Sequence, residues 1–219
     1  PSHNYSRSSN SIRVFGAGVD TDKFMYKESR NNEDNFHVLF ASRLLKNKGL
    51  ELLVRACEEL NSSGIKVTLS VAGIMDKDSP FSFSCEELDE LLNSDIVNWL
   101  GQRDDIAKLI EDSDIVALPT SYGEGIPRIL IESCAIGRPI VTTDLGGCKD
   151  ICVDGFNGFI VAVGDNGSLL SALKKLALEP KLKEKMGTNG RQLVTKRFSN
   201  EHIFSQQDIL YKKMLASKE

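Results

Sequence analysis

The chain has 219 residues, of which 41% are hydrophobic and 26% are charged, so it is long and apolar enough for one domain with a substantial core. Its formal net charge of -4 argues against a general nucleic-acid binder, which would be clearly basic. The apolar runs all fall short of the roughly 20 residues that a membrane-spanning helix needs.

Short apolar runs alternate with helical patterns along most of the chain. The runs predict strands at 38–40, 67–71, 96–100, 115–118, from 139–141 onward, and at 159–163. Helical spacing of apolar residues predicts helices at 50–60, 85–92, 106–110, 127–136, 169–176, 180–197 and 200–216. Strands that are apolar on both faces and separated by helices form a parallel sheet with helices on both sides. We therefore predict a doubly wound α/β fold, which binds ligands beyond the carboxyl ends of its strands near the switch in strand order.

The segment 121–132 follows the fourth predicted strand and opens a helix. It reads Ser-Tyr-Gly-Glu-Gly-Ile-Pro-Arg-Ile-Leu-Ile-Glu. Pro127 suits the first helical turn, because its missing N–H would have no partner there. The N–H groups of Gly125 and Ile126 lie at or just before this helix start, where the helix dipole favours an anion. The segment therefore predicts a site for a phosphate group.

Two carboxylates, Glu124 and Glu132, flank this turn. A carboxylate accepts hydrogen bonds from two hydroxyls at once, so each could bind a diol of a sugar or a ribose. The alternative is structural, with Glu132 a solvated helix residue and Glu124 a capping carboxylate. The carboxylates by themselves do not decide between these interpretations.

Three further loops follow predicted strands and face the same edge of the sheet. Arg43 and Lys48 bracket the first, and both are suited to phosphate oxygens, although an ordinary charged loop would look the same. The segment 100–103, which ends in Arg103, offers backbone for a base pocket. The segment 142–147 ends in Gly-Gly, which predicts a tight turn at the ligand edge.

Together these segments resemble the group 1 retaining glycosyltransferases of the GT-B architecture, whose halves are Rossmann-like domains. The resemblance runs from about Phe15 to the C-terminus and rests on several ordered motifs. The matching motifs are Glu124 and Glu132 as Glu-x7-Glu, Arg43 with Lys48, the turn 125–127, the segments 135–139 and 143–147, and the turn 154–159. Two positions depart from the family pattern, Ser42 where it often has Gly, and Ala17-Gly18 where it usually has Asn-Gly.

The resemblance implies a role for each matching residue. Glu124 would contact hydroxyls of the donor sugar, Glu132 the ribose, and Arg43 with Lys48 the diphosphate. The implied catalytic residues are therefore Glu124, Arg43 and Lys48. The full set expected to bind the nucleotide sugar is Ser42, Arg43, Lys48, Arg103, Glu124, Gly125, Ile126 and Glu132. UDP is the expected nucleotide, on family frequency alone.

The implied reaction is the retaining transfer of a sugar from a nucleoside-diphosphate donor to a hydroxyl acceptor, in glycan or polysaccharide biosynthesis. The family needs no metal or other cofactor, since Arg43, Lys48 and the helix start stabilise the departing diphosphate. Two alternatives stay open: a module that binds nucleotide sugar without transferring it, and a nucleotide-sugar epimerase of the same architecture. A dinucleotide oxidoreductase is disfavoured, because the first strand is not followed by Gly-x-Gly-x-x-Gly.

Family members have two domains of similar size, and this chain resembles the C-terminal, donor-binding one. We expect residues 1–14 to be a linker from an acceptor domain, 15–199 to form the nucleotide-sugar-binding domain, and 200–219 to pack back on the acceptor domain. Without that partner the chain is expected to be inactive and to expose an apolar patch. The expected patch comprises Ile203, Phe204, Leu210, Tyr211, Met214 and Leu215.

The remaining polar patterns do not indicate another kind of site. The triplets 20–22 and 76–78 spell Asp-x-Asp, a spacing found in metal-dependent glycosyltransferases of another fold, but both lie in predicted loops far along the chain from Glu124. The five cysteines are odd in number and form no Cys-x-x-Cys pair, which favours reduced, mostly buried thiols and a cytoplasmic protein. The full-length protein is expected to act on a glycan or lipid-linked acceptor at the inner face of the membrane, with no nucleic-acid partner.

Overall fold

The computed structural model describes residues 17–29, 34–123 and 125–216. Within these ranges the chain forms six strands, numbered in chain order: β1 Phe36–Ala41, β2 Val67–Ala72, β3 Val97–Gly101, β4 Ile115–Leu118, β5 Ile140–Thr143 and β6 Gly158–Val161. They pair in parallel in the order β3-β2-β1-β4-β5-β6. The predicted doubly wound sheet is confirmed, and its strand order reverses between β1 and β4.

Helices connect the strands and then close the chain. They are α1 Leu50–Ser62, α2 Cys85–Leu92, α3 Ile106–Glu111, α4 Arg128–Ile136, α5 Cys148–Ile151, α6 Asn166–Leu178, α7 Pro180–Arg197 and α8 Asn200–Ala216. A single 3-10 turn, Lys46–Lys48, precedes α1. The apolar stripe that predicted α1 is buried along its length, from Leu50 to Leu60, because residues three or four apart share one helix face. Gly137 ends α4 with a φ of 90°, which glycine adopts without steric cost.

The predicted elements differ from the structure in several details. Pro127 caps α4 instead of opening it, since its ψ of 124° is extended and the helix begins at Arg128. Helix α5 was not predicted, because a helix of four residues is too short to show a helical period. The last strand ends at Val161, two residues early, and Val163 is exposed beyond it.

The apolar patch expected on the C-terminal helix is only partly present. Ile203 is 6% exposed, so its predicted exposure is wrong, and Leu210 is half-buried. Ile203 is covered by Gly18 and Val19, which lie against the first turn of α8: the Val19 N–H donates to the Phe198 carbonyl at 2.8 Å, and a Cβ on Gly18 would lie 3.3 Å from Ile203. The expected exposure of the other patch members is confirmed for Phe204, Tyr211, Met214 and Leu215.

Residues 1–14, the expected linker, fall outside the described ranges, and the expected division at residues 199 and 200 stays a prediction. Four cysteines are buried and Cys85 is exposed, as the expectation of mostly buried thiols required. Within the described ranges, no helix combines the length and the apolar character that a membrane crossing demands.

Candidate functional site

The loops after β1 and β4 lie against each other at the switch in strand order. The Asn47 carbonyl accepts a hydrogen bond from the Ser121 N–H at 2.9 Å and another from the Thr120 hydroxyl at 3.0 Å. Gly49 allows this approach, because a Cβ there would lie 2.1 Å from the Pro119 carbonyl oxygen. The structure thus joins the predicted Arg43–Lys48 loop to the turn that precedes α4.

The Gly-Gly segment after β5 packs on the same turn from the other side. A Cβ on Gly147 would lie 2.3 Å from the Ile126 nitrogen, so the Gly125–Ile126 peptide rests directly on this glycine. The Thr143 hydroxyl donates to the Thr120 carbonyl at 2.6 Å. No described side chain caps α4 at Pro127, and the first N–H groups of a helix have no partner within it. The turn before α4 is therefore held between two neighbouring loops, with the first N–H groups of the helix next to it.

A cleft of about 280 Å³ opens beside this turn, at the carboxyl ends of β1 and β2. Four of the predicted site residues line it: Ser42, Arg43, Arg103 and Glu132. Most of its remaining wall is apolar or small: Ala41, Ala72, Gly73, Ile74, Ile106 and Ile129. The cleft thus combines an apolar wall with two guanidinium groups and one carboxylate.

The other predicted residues that the structure describes are Lys48, Gly125 and Ile126, and none of them is part of the cleft lining. Lys48 is 6% exposed and is not part of the cleft lining that the described residues form. Gly125 is exposed and Ile126 is half-buried in the turn before α4. Glu124 lies outside the described residues, so its role stays a prediction.

Both arginines of the cleft are paired with aspartates, Arg43 with one from the neighbouring loop after β2 and Arg103 with one two residues further along its own loop. Arg43 Nη1 donates to Asp76 Oδ2 at 2.7 Å. Arg103 forms two bonds to Asp105, of 2.8 Å from Nε and 2.6 Å from Nη2. The second pair raises the pKa of Arg103 and lowers that of Asp105, chiefly through these hydrogen bonds. An anionic ligand would enter a cleft whose cations already have carboxylate partners.

Glu132 differs from these aspartates because it is largely enclosed. Its side chain is 12% exposed, and its nearest cation is Arg128, at 3.5 Å from Oε1. Burial raises the pKa of Glu132, an effect that Arg128 partly opposes, because desolvation disfavours the charged form. The interpretation of Glu132 as a solvated helix residue is therefore wrong.

Sequence reasoning missed Asp76 as part of the site and considered it only as a metal ligand. Its position just beyond β2 was the available signal, because the carboxyl ends of parallel neighbours meet at one edge. Within the described residues, no three His, Cys, Asp or Glu side chains lie close enough together to hold a metal ion. Asp20 instead accepts from the N–H groups of Asp22 and Lys23. Burial raises the pKa of the Cys134 thiol to about 12, which leaves it unreactive.

The family model described as glycosyl transferases group 1 matches residues 21–193. The chain belongs to this family. It is 30% identical over 215 residues to CapM, a capsular polysaccharide biosynthesis glycosyltransferase of Staphylococcus aureus, covering 97% of this chain and 55% of CapM. It is also 30% identical to N,N'-diacetylbacillosaminyl-diphospho-undecaprenol alpha-1,3-N-acetylgalactosaminyltransferase of Campylobacter jejuni, covering 82% of this chain and 48% of that enzyme. The chain thus spans about half the length of these relatives.

Solved structures confirm the fold class. A glycosyltransferase from Rickettsia africae has a TM-score of 0.84 at 21% identity, over 97% of this chain and 60% of that chain. Anabaena HepE, in complex with UDP and glucose, has a TM-score of 0.75 at 21% identity, over 91% of this chain and 55% of HepE. The C-terminal domain of LpcC, a group 1 family protein from Francisella tularensis, has a TM-score of 0.70 at 24% identity, and 84% of this chain covers all of that domain.

Proposed function

We propose that this group 1 glycosyltransferase chain binds a nucleoside-diphosphate sugar, as the donor for retaining transfer to a hydroxyl acceptor in glycan biosynthesis. The observation that carries the proposal is the cleft beside the switch in strand order, which Arg43 and Glu132 both line. Guanidinium groups and helix starts bind phosphate, and a largely buried carboxylate binds a diol. A nucleoside diphosphate presents both groups at neighbouring positions.

Each residue has a defined part in this proposal. Arg43 and the N–H groups at the start of α4 hold the diphosphate, and Lys48 adds positive charge from the buried end of the 3-10 turn. Glu132 accepts from the ribose hydroxyls, and Glu124 from hydroxyls of the sugar. Gly125 leaves its peptide open to a ligand, because a Cβ there would contact no described atom within 4 Å. The apolar wall that includes Ile74, together with Arg103, takes the base.

The transfer breaks the bond between the anomeric carbon of the sugar and the diphosphate oxygen. The acceptor oxygen bonds to that carbon and loses its proton, and the nucleoside diphosphate leaves. Negative charge grows on the leaving oxygen during this step. Groups that bind the diphosphate therefore stabilise the transition state more than the ground state. We assign this stabilisation to Arg43, Lys48 and the helix start, without a metal ion.

Relatives and neighbours support the choice of ligands. HepE was solved with UDP and glucose, and we propose UDP as the nucleotide here. CapM is named for capsular polysaccharide biosynthesis, and the Campylobacter jejuni enzyme is named for a diphospho-undecaprenol-linked acceptor. We therefore propose a glycan or lipid-linked acceptor, bound with the help of a further domain that transfer requires.

Calorimetric titration of the chain with UDP, GDP and ADP in metal-free buffer tests the proposal. We expect UDP to bind, and Arg43→Ala to weaken its binding about 10- to 150-fold, since a hydrogen bond to a charged group is worth about 1.5–3 kcal/mol. Arg55→Ala is the matched control, because Arg55 is exposed on α1 and pairs with Glu51 outside the cleft. Failure of all three nucleotides to bind would contradict the proposal.

A further inference from the structure

Asp76 accepts a hydrogen bond from the guanidinium of Arg43, the group that we propose binds the diphosphate. Arg43 Nη1 lies 2.7 Å from Asp76 Oδ2, and the two side chains are 64% and 28% exposed. Arg43 comes from the loop after β1, and Asp76 from the loop after β2. The contact therefore joins two loops at the carboxyl edge of the sheet and is not a pairing within one loop.

The loop that carries Asp76 is held in place next to Arg43. The Leu44 N–H donates to the Ile74 carbonyl at 2.9 Å, and the Lys46 N–H donates to the Phe81 carbonyl, also at 2.9 Å. Hydrogen bonds therefore join the Arg43 loop to the Asp76 loop on both sides of Asp76, at Ile74 before it and at Phe81 after it. These backbone bonds fix the segment that carries Asp76 beside the segment that carries Arg43.

A carboxylate and a diphosphate both accept hydrogen bonds from a guanidinium and repel each other as anions. A phosphate that binds Arg43 must take donors from Asp76 or lie close to its negative charge. From this geometry we infer that Asp76 lowers the affinity of the cleft for the diphosphate, because its carboxylate competes with the phosphate oxygens for the N–H donors of Arg43. The inference rests on the proposed function, since it needs a diphosphate at Arg43.

This competition acts more strongly on product than on donor. Free nucleoside diphosphate carries an additional negative charge near neutral pH compared with its sugar ester, so Asp76 repels the product more. The contact therefore favours departure of the nucleoside diphosphate after transfer, which limits many enzymes. Arg43 remains available as a phosphate ligand, because one contact uses only one of its five N–H donors.

The test compares Asp76→Asn with Asp78→Asn, which removes the same charge from an exposed position of the same loop. Both variants are titrated with UDP and with uridine, which lacks the diphosphate. We expect Asp76→Asn to tighten UDP binding about two- to fivefold, the range in which exposed ion pairs contribute. Uridine binding should not change, Asp78→Asn should match the unmodified chain, and Asp76→Glu should restore weaker UDP binding.

Each other result overturns the inference. Unchanged or weaker UDP binding by Asp76→Asn would show that the carboxylate does not compete. Equal tightening of uridine, or equal tightening by Asp78→Asn, would show a general charge or structural effect. If the unmodified chain binds no nucleoside diphosphate, the proposed function fails first and the inference fails with it, a result distinct from the others.

Discussion

Glu132 is a largely buried carboxylate at the cleft, and we propose that it binds the ribose of the donor. It projects from α4 into the cleft and is mostly shielded from water, with Arg128 as its exposed partner. Burial raises the pKa of Glu132 above the ordinary value of 4.5. A carboxylate kept in such a position destabilises the ionised folded chain, which is typical of binding sites.

Glu132→Gln should weaken UDP binding about fivefold, because a hydrogen bond to a charged acceptor is worth about 1 kcal/mol more than one to a neutral acceptor. The loss should be smaller for 2'-deoxy-UDP, which lacks one of the two ribose hydroxyls. Titration of both ligands with both proteins measures the preference for ribose. An unchanged preference would contradict the assignment of Glu132 to the ribose.

The same variant should be the more stable protein at neutral pH. Because its pKa is raised on folding, Glu132 contributes stability fully below the ordinary glutamate pKa, and the contribution is lost as pH rises through the raised value. Glutamine has no such loss. Urea unfolding across this pH range should therefore show a gap in the free energy of unfolding that closes at low pH, whereas Glu184→Gln, on an exposed position of α7, should show none.

Among the elements, those with long periodic patterns could be predicted from the sequence, and those set by contacts between distant segments could not. The stripe from Leu50 to Leu60 predicted α1, and short apolar runs predicted the strands. The Gly146–Gly147 turn was also predicted, but its packing against the turn before α4 was not. Position 147 has no room for a side chain, because it lies against the peptide of Ile126. A contact between residues so far apart in the chain leaves no local sequence pattern.

Gly147→Ala should therefore disturb both the fold and the site. Its Cβ would lie 2.3 Å from the Ile126 nitrogen, and overpacking of this kind costs about 1–3 kcal/mol. For a chain of this size we expect a fall in Tm of about 2–12 °C, together with weaker UDP binding as the turn before α4 is displaced. Gly123→Ala is the control for Tm, since its Cβ would contact no described atom within 4 Å. Equal Tm values for the two variants would contradict this packing argument.

At the scale of the whole molecule, the two edges of the sheet differ: the carboxyl edge carries the cleft, and the amino edge carries a buried ion pair. The doubly wound pattern predicted a ligand site at the carboxyl edge, yet Asp76 was missed there because its partner Arg43 lies on another loop. At the amino edge, Asp114 precedes β4, accepts from the His37 N–H at 2.8 Å and pairs with Lys183 of α7. Nothing in the spacing of these residues indicated a pair, since burial of both charges depends on how α7 packs.

Lys183→Met tests whether the buried ion pair at the amino edge affects stability alone and leaves ligand binding at the carboxyl edge unchanged. The Lys183–Asp114 pair is 2.5 Å long and its side chains are only 7% and 2% exposed, so the variant leaves a buried carboxylate without its cation. Breaking such a pair costs about 3–5 kcal/mol, which corresponds to a fall in Tm of about 6–20 °C. UDP affinity, measured well below the lowered Tm, should be unchanged because the cleft lies at the opposite edge. Lys181→Met makes the same substitution at an exposed position of α7 and should change neither quantity. A loss of UDP affinity in folded Lys183→Met would show that the two edges are coupled.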